Sequence, residues 1–454
     1  MTMNRIDSYA ITYPLLNHPL SNERIEEKIK YICLLERYRI KFCRNNKPAK
    51  DRLSRFASDF INKGESYQID VAESAKNILK TWFTPFRLFS FRYVFLFDCI
   101  YLFAILNKQL ATKICAEFKS SVHHRYHRRI NELFNMMFNE DASLIDEYLI
   151  SQEQFDAWCR MRRYMRTSKK SIAFTATMSA GKSTLINALI GQELSYARKT
   201  ACTATVMQFH SEPVYHPSYN IIADNETVVN ISADDVRSYT KERESPCAVV
   251  GYFESAFNNN RVVFYDTPGV NSSQNPAHRA ITRDELTKRP HDIIVYVIPV
   301  ECYGSDDDYS HLKFICENAD YKKIIFVVNM MDTCDFEDDS ITQIMSDVTA
   351  HLKDIGYAEP LVCPISAKAG LLFKRALAGN ELSKNDIKAL LALYAKFEDP
   401  EYDLSGCYNA PAYPAFHYLG YKLNEVPYDK LYQAYLHTGL PQLENILLEK
   451  IKEG

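Results

Sequence analysis

The stretch FTATMSAGKSTLINALIG, residues 174–191, decides the fold of this chain. It starts with apolar and β-branched residues typical of a buried strand, passes through a loop, and continues after Gly181 as an apolar helical pattern. A strand, a loop and a helix in this order make a phosphate-binding loop, because the unpartnered N–H groups at a helix N-terminus attract anions. The segment therefore predicts a nucleotide-binding α/β domain.

Individual residues of this loop have expected roles. Gly181 lets the backbone approach a phosphate closely, Lys182 reaches the β- and γ-phosphate oxygens, and the Ser183 hydroxyl binds Mg²⁺. The full pattern GxxxxGK[ST] has a first glycine where this chain has Ala176. A bare GKS tripeptide also occurs by chance, but the strand before it and the helix after it favour phosphate binding.

A second motif is RVVFYDTPGVN, residues 261–271. Its apolar strand ends in Asp266, where a carboxylate suits a water-mediated contact to Mg²⁺. Gly269 can donate its N–H group to a γ-phosphate and move away after hydrolysis. Pro-Gly also forms ordinary turns, but a position downstream of a phosphate-binding loop favours the nucleotide role.

The loop between these two motifs contains a threonine that we expect to bind Mg²⁺ through its hydroxyl when the loop becomes ordered. Three candidates occur in ARKTACTATVMQF, namely Thr200, Thr203 and Thr205. We choose Thr203, because it lies just before the strand predicted at residues 205–210. Each of the three also suits the edge of a strand, where threonine is common.

A third motif, KKIIFVVNMMDTCD, predicts the choice of base. A buried strand ends in Asn329, and Asp332 follows. A carboxylate at this point can accept hydrogen bonds from N1–H and the exocyclic amine of guanine, a donor pair that adenine lacks. The usual pattern NKxD has a lysine where this chain has Met330. Met330 can cover an apolar surface but carries no charge, so we expect weaker nucleotide binding.

A fourth motif, VCPISAKAG at residues 362–370, follows another short strand. Ser366, Ala367 and Lys368 occupy the position where a loop around the guanine base is expected. The tripeptide alone carries little information. Four motifs in the expected order, each after a strand, together predict a GTP-binding domain.

The remaining sequence predicts two domains. Residues 1–165 are helical, with helices expected at 21–42, capped by Ser21, at 86–137 and at 151–166. From residue 166 to 454, short β-rich segments alternate with helical ones, and a final amphipathic helix follows. We predict an α/β P-loop GTPase domain, with a mainly parallel sheet flanked by helices, preceded by an all-α helical domain. The six predicted strands are residues 171–175, 205–210, 261–266, 292–300, 323–329 and 360–365.

Composition and charge narrow the function classes further. Hydrophobic residues make up 46% and charged residues 24% of the 454 residues, which excludes a disordered or fibrous chain. The 12 cysteines are scattered without CxxC spacing, and the N-terminus lacks a signal-peptide pattern, so we expect a reducing, cytoplasmic setting. The apolar run at 93–106 is interrupted by Asp98 and is too short for a membrane span; a core helix is favoured over an interfacial one.

The motifs MSAGKSTLINALIG, CTATV, DTPGV, NMMD and SAK together resemble the dynamin superfamily, and specifically bacterial dynamin-like GTPases. The resemblance covers about residues 170–375 and the terminal TGLPQLENILLEKI. It implies Mg²⁺-dependent GTP hydrolysis to GDP, homodimerisation across the nucleotide face, and often a peripheral membrane location. The nucleotide-binding residues carried over are Ser179, Ala180, Gly181, Lys182, Ser183, Thr184, Asn329, Asp332, Ser366, Ala367 and Lys368.

The resemblance also implies the catalytic and metal-binding groups. Eukaryotic dynamins carry a glutamine where this chain has Met178. Water activation then depends on Ser179, Thr203 and backbone groups, and we expect slow basal hydrolysis. The catalytic set is Ser179, Lys182, Thr203 and Gly269, and the metal-binding set is Ser183, Thr203 and Asp266.

Three functions are compatible with these observations. The first is a dynamin-like GTPase that binds an anionic membrane or a helical partner protein through residues 1–165. Residues 1–170 hold 29 basic and 19 acidic residues, which favours an anionic partner. The second is a GTP-dependent switch or scaffold that binds a protein partner, with little turnover and no membrane role. The absence of a long helical stalk after the predicted GTPase domain favours the second function. An RNA-associated GTPase is less favoured, because the basic run at 160–170 lacks aromatic residues placed to stack on bases.

Overall fold

The computed structural model describes residues 13, 17–61, 90–195, 205–224, 226–241, 245–270, 276–301, 304–319, 323–335, 340–408, 421, 423 and 425–453. These residues belong to two compact units. Unit 1 comprises residues up to 168 together with 212–220 and 250–252, and unit 2 comprises the rest. The division into domains 1–165 and 166–454 stays a prediction. The compact units differ from it, because unit 1 also includes the short segments 212–220 and 250–252.

The described residues of unit 1 before position 168 are mainly helical. Its helices are α1 (Ile25–Cys43), α2 (Lys47–Ile61), α3 (Arg92–Ala104), α4 (Lys108–Ser120), α5 (His127–Asn139) and α6 (Gln152–Arg166). Short 3₁₀ turns occur at His124–Tyr126 and Ile145–Tyr148. The helix predicted at 151–166 is confirmed as α6, where Ser151 and Gln154 form a capping box.

Two helix predictions in unit 1 were wrong in detail. The first helix begins at Ile25 after Arg24, not at a Ser21 cap, because residues 18–23 form turns such as Ser21 N–H to His18 O at 2.8 Å. The single helix expected at 86–137 is broken within its described part. The break lies at Asn107, whose side chain accepts a hydrogen bond from Leu110 N–H and caps the N-terminus of α4.

Helix α3 forms the centre of unit 1, and the prediction of a core helix for the apolar run is confirmed. All its residues from Tyr93 to Ala104 are buried. Asp98 is tolerated there because its carboxylate accepts hydrogen bonds from Tyr13, from Tyr31 at 2.5 Å and from the His18 imidazole at 3.1 Å. Among the described residues, no helix is both long and apolar enough to span a membrane.

A nine-stranded, mainly parallel sheet organises unit 2. The strands are β1 (Lys170–Ala176), β2 (Met207–Ser211), β3 (Tyr219–Ala223), β4 (Thr227–Ile231), β5 (Cys247–Gly251), β6 (Val262–Asp266), β7 (Ile293–Pro299), β8 (Ile324–Asn329) and β9 (Leu361–Pro364). Their order is β4-β3-β5-β2-β6-β1-β7-β8-β9. The five neighbouring strands β6, β1, β7, β8 and β9 run parallel to one another, and β2 is antiparallel to β6.

The helices of unit 2 alternate with these strands, as predicted. They are α7 (Lys182–Ile190), α8 (Ala233–Lys241), α9 (Pro276–Lys288), α10 (Asp306–Asn318), α11 (Ile341–Ile355), α12 (Ala367–Leu377), α13 (Lys384–Phe397), α14 (Tyr428–His437) and α15 (Leu440–Glu453). The predicted fold class and all six predicted strands are confirmed. Strands β3, β4 and β5 were not predicted. Because β1, β6 and β8 are parallel, the ends that carry the motifs lie on one edge of the sheet.

Candidate functional site

The loop between β1 and α7 takes a backbone path that few residues allow. Ser179 and Gly181 both have left-handed conformations, with φ of 65° and 80°. A Cβ atom built on Gly181 would lie 2.3 Å from the Asn329 amide nitrogen. Glycine is therefore required at position 181 both for the turn and for the close approach of β8.

Lys182 and Asp266 contact each other beneath this loop. The Lys182 ammonium donates to Asp266 Oδ1, and the lysine is only 9% exposed. Burial lowers the pKa of Lys182 to about 7. The other carboxylate oxygen, Oδ2, accepts a 3.4 Å contact from the Ser183 hydroxyl. The predicted phosphate-binding lysine and the two described metal candidates therefore meet at one point.

Ser195 is a functional candidate that the sequence did not reveal. Its hydroxyl donates to Asp266 Oδ2 at 2.5 Å, and its side chain is buried. The Asn187 side chain on α7 fixes the backbone of Ser195, accepting from its N–H at 2.7 Å and donating to its carbonyl at 2.8 Å. A lone serine carries no sequence signal, since only the fold brings it to the carboxylate.

The segment after β6 passes close to the phosphate-binding loop. Thr267 donates through its hydroxyl to the Phe174 carbonyl at 2.7 Å, which ties the segment to β1. Gly269 lies against Met178, with 3.4 Å between its Cβ position and Met178 Cα. Of the predicted catalytic residues, Ser179 thus lies in the phosphate-binding loop and Gly269 lies next to that loop. Thr203, which carried both a catalytic and a metal role in the prediction, lies outside the described residues.

Asn329 joins the phosphate and base sides of the site. Its amide nitrogen donates to the Ala180 carbonyl at 3.1 Å, and its amide oxygen accepts from the Ala367 N–H group at 3.0 Å. The side chain is buried, so both bonds are protected from water. Asn329, Ala180 and Ala367 therefore hold the two loops together, and the latter two act through their backbones.

The carboxylate of Asp332 is oriented by the fourth motif. Ser366 donates through its hydroxyl to Asp332 Oδ1 at 2.5 Å, and the Ser366 hydroxyl oxygen itself accepts from the Ala369 N–H group, which caps α12. Met330, in place of the usual lysine, adopts a left-handed conformation with φ of 69°. The carboxylate predicted to bind guanine is thus oriented by a buried serine, next to an uncharged side chain.

Residues of both the phosphate-binding loop and the Asp332 loop line a cavity of about 500 Å³. Six predicted site residues line it: Gly181, Ser183, Thr184, Asn329, Asp332 and Lys368. Lys368 is exposed at the rim. The cavity is also lined by residues that the sequence did not single out, including Glu193, Ser195, Leu371, Leu372, Asp386 and Ala389. The last two come from α13, which no motif marked.

The far end of α7 is fixed by a buried cation. Lys374 on α12 donates to the carbonyls of Ala188 and Leu189, both at 3.1 Å, and to Glu444 Oε1 at 2.6 Å. Burial raises the pKa of Glu444, and the adjacent lysine opposes this shift. A cation at a helix C-terminus satisfies its last carbonyls and interacts favourably with the helix dipole. Helix α15 is thereby connected to the helix of the phosphate-binding loop.

The residues present suit a purine nucleoside triphosphate with Mg²⁺. A glycine-containing loop opens a helix N-terminus, and a buried lysine stands beside it. Hydroxyl and carboxylate oxygens of Ser183 and Asp266 are the hard donors that Mg²⁺ prefers. The Asp332 carboxylate at the other end matches the two donors of guanine. A strand–loop–helix phosphate site combined with this base loop defines the class of P-loop guanine-nucleotide-binding domains.

The comparison with protein families agrees with this class. Residues 172–331 match the model of the Dynamin family. The predicted resemblance to dynamin-like GTPases is therefore confirmed over this segment, which begins in β1, contains GKS and DTPG, and ends at Met331, one residue before Asp332. No curated protein matches the chain.

Solved structures also resemble the chain. Two of them come from an oligomerised bacterial dynamin pair, described as providing a mechanism for the long-range sensing and tethering of membranes. They are 13% and 15% identical to this chain, and both have a TM-score of 0.36. The alignments cover 94% of this chain but only 61% and 62% of those chains, so the chain spans less than two thirds of their length.

Proposed function

We propose that this protein binds GTP and hydrolyses it to GDP with Mg²⁺, at the cavity between α7 and the Asp332 loop. The single observation that carries the proposal is the connection through Asn329, which joins a phosphate-binding loop to a base loop whose carboxylate is aimed by Ser366. Phosphate and base recognition thus share one cavity. The match to the Dynamin family supports the same activity.

Each end of the cavity has a distinct role in this proposal. Lys182 and the N–H groups at the start of α7 bind the β- and γ-phosphates. Ser183 and Asp266 hold Mg²⁺, which neutralises charge on the phosphate oxygens. Asp332 accepts from the base, so adenine nucleotides leave a partly buried carboxylate unpaired. Ser179 and the Gly269 N–H group, with Thr203, position the attacking water and stabilise the charge on the γ-phosphate.

We further propose a two-part organisation and nucleotide-controlled dimerisation. The helical residues 1–165 contact an anionic membrane or a helical partner protein, while the GTPase domain pairs with a second copy across its nucleotide face. The charge of residues 1–170 supports the membrane contact, with 29 basic against 19 acidic residues. In α6, Arg163 and Arg166 both lie 3.6 Å from Glu140, which reduces the positive charge available there.

A second candidate function is a GTP-dependent switch with negligible turnover. Two observations favour it. Lys182 and Asp266 contact each other, so that phosphate and Mg²⁺ must displace this pair. Met178, where eukaryotic dynamins have a glutamine, is 53% exposed and offers no hydrogen-bonding group to a water molecule.

The two candidates are separated by measuring GTP turnover per molecule against protein concentration, with Mg²⁺ and with EDTA. We expect slow, Mg²⁺-dependent turnover that rises per molecule as concentration increases, because the pairing of two copies completes the site. Lys182→Ala is the inactive control. GTP binding with flat, near-zero turnover supports the switch, and turnover that EDTA leaves unchanged contradicts the proposed metal dependence.

A further inference from the structure

The base loop is the segment after β8 that contains Asp332 and Cys334. Two side chains outside the sequence motifs donate hydrogen bonds to its backbone. Lys396, near the end of α13, donates through its ammonium to the Asp332 carbonyl at 2.8 Å. Tyr402, in the 3₁₀ turn Pro400–Tyr402, donates through its hydroxyl to the Cys334 carbonyl at 3.1 Å. The two side chains also contact each other, since the Lys396 nitrogen lies 5.1 Å from the centre of the Tyr402 ring.

Helix α13 touches the cavity itself as well. Asp386 and Ala389, in its first half, line the cavity of about 500 Å³. Lys396 follows Asp386 by ten positions, which corresponds to roughly 15 Å along a helix. One rigid helix therefore forms a wall of the cavity with its first turns and fixes the base loop with its last turn.

The base loop needs such support in this chain. Met330 takes the place of the lysine whose stem usually lies over the loop, and it has a left-handed backbone without a side-chain cap. The carboxylate of Asp332 is fixed by Ser366 from one side. Without a second anchor, rotation of the Asp332 backbone would turn the free carboxylate oxygen away from the base.

We propose that Lys396 and Tyr402 are positioning residues for guanine recognition, and that α13 is a specificity element of the nucleotide site. A cation bound to the Asp332 carbonyl fixes the peptide group between residues 332 and 333, and a hydroxyl bound to the Cys334 carbonyl fixes the one between residues 334 and 335. The carboxylate then meets N1–H and the exocyclic amine together. The inference rests on the proposed GTP-binding function and names residues that determine its selectivity.

The test compares the affinities of the full-length chain for GTP and inosine triphosphate, which keeps N1–H but lacks the amine. In Lys396→Met, we expect GTP affinity to fall about 10-fold, the effect of losing one hydrogen bond to a charged group. Inosine triphosphate affinity should fall less, so the ratio of the two affinities decreases. Lys388→Met, an exposed lysine on the same helix, is the matched control and should leave both affinities unchanged.

Tyr402→Phe provides an independent variant, because it removes only the hydroxyl and keeps the ring under Lys396. We expect about a 3-fold loss of GTP affinity, as for one neutral hydrogen bond, again with a reduced GTP preference. A GTP preference that survives both variants overturns this inference alone. Equal losses for both nucleotides also overturn it, since a structural defect would produce them. A wild-type protein that binds no guanine nucleotide overturns the proposed function and this inference with it.

Discussion

On the base side of the cavity, functional side chains are bonded to neighbouring loops, whereas on the phosphate side the two charged groups are bonded to each other. Asp332 is aimed by Ser366, and Asn329 bridges two backbones. Lys182, in contrast, contacts Asp266. Under the proposed function, the base side selects guanine without rearrangement. The phosphate side then exchanges an internal ion pair for phosphate and Mg²⁺, which offsets part of the binding energy.

We expect the largest effect from a substitution of Asp332, the carboxylate predicted to bind guanine. In Asp332→Asn, one accepting oxygen becomes a donor, so the hydrogen bonds to the guanine N1–H and amine cannot both form. At about 1.5–3 kcal/mol for each bond to a charged group, we expect a roughly 100-fold loss of GTP affinity. The affinities are measured by displacing a bound fluorescent GTP analogue with GTP or with xanthosine triphosphate. Because xanthine presents a carbonyl to the new amide, its affinity should rise relative to GTP.

A matched substitution gives the control for that experiment. Thr333→Ala changes an exposed neighbour whose hydroxyl is bonded to the Met330 carbonyl at 2.8 Å. It should leave the preference between the two nucleotides unchanged. If Asp332→Asn kept the wild-type preference for GTP, the base would not lie against Asp332, and the assignment of the two sides would be wrong.

The second effect is a loss of stability at low pH, caused by a buried histidine that packs against strand β1. His311 on α10 lies 2.8 Å from the Thr175 hydroxyl of β1. Burial, with Arg283 and Arg279 nearby, lowers the pKa of His311 from its ordinary value of 6.5 to about 3. Between these values the unfolded chain takes up a proton that the folded chain does not. The free energy of unfolding therefore falls as the pH falls below 6.5, by up to about 1.4 kcal/mol per pH unit.

Urea unfolding at pH 7, 6 and 5 measures this dependence. His311→Asn should show a shallower loss of stability over that range, whatever its stability at pH 7. His124→Asn, at an exposed histidine, should keep the wild-type slope. Identical slopes for the wild type and His311→Asn would mean that His311 titrates normally and is not buried as described.

The smallest expected effect sharpens the description of the phosphate side. In Ser195→Ala, the Asp266 carboxylate loses the donor that orients Oδ2, while Lys182 and Ser183 keep their places. One hydrogen bond of about 1 kcal/mol corresponds to a roughly 5-fold higher Mg²⁺ requirement for turnover. Titration of GTP turnover with Mg²⁺ measures it. Unchanged Mg²⁺ dependence would show that Ser195 only packs there, and Ser171→Ala, at a serine bonded to Asp292, serves as the matched control.

Sequence reasoning found those parts of the fold whose signals are local. Strands β1, β7 and β8 are continuous apolar runs that are buried along most or all of their length, so hydrophobicity revealed them. Strand β4, TVVNI, has the β-branched residues of a strand but is partly exposed at every position, so it lacks the long buried apolar run by which the other strands were predicted. The predicted cap at Ser21 failed because turns at 18–23 use the backbone groups that a helix would have used.

The candidate site follows the same distinction. Gly181, Asn329 and Asp332 occur in motifs with fixed spacing and were found. Lys396 bonds to a residue 64 positions away, and Ser195 to one 71 positions away. Only tertiary folding sets such distances, so neither residue has a pattern that could be recognised in the sequence.

Recognition of phosphate and guanine in one cavity is tested most directly by nucleotide competition. A fluorescent GTP analogue is bound to the full-length protein with Mg²⁺ and displaced by GTP or by ATP, in parallel with Lys182→Ala. We predict displacement by GTP at concentrations at least 100-fold below those needed for ATP, since selectivity arises from paired hydrogen bonds, and loss of binding in Lys182→Ala. Equal displacement by both nucleotides, or unchanged binding by Lys182→Ala, would contradict the account.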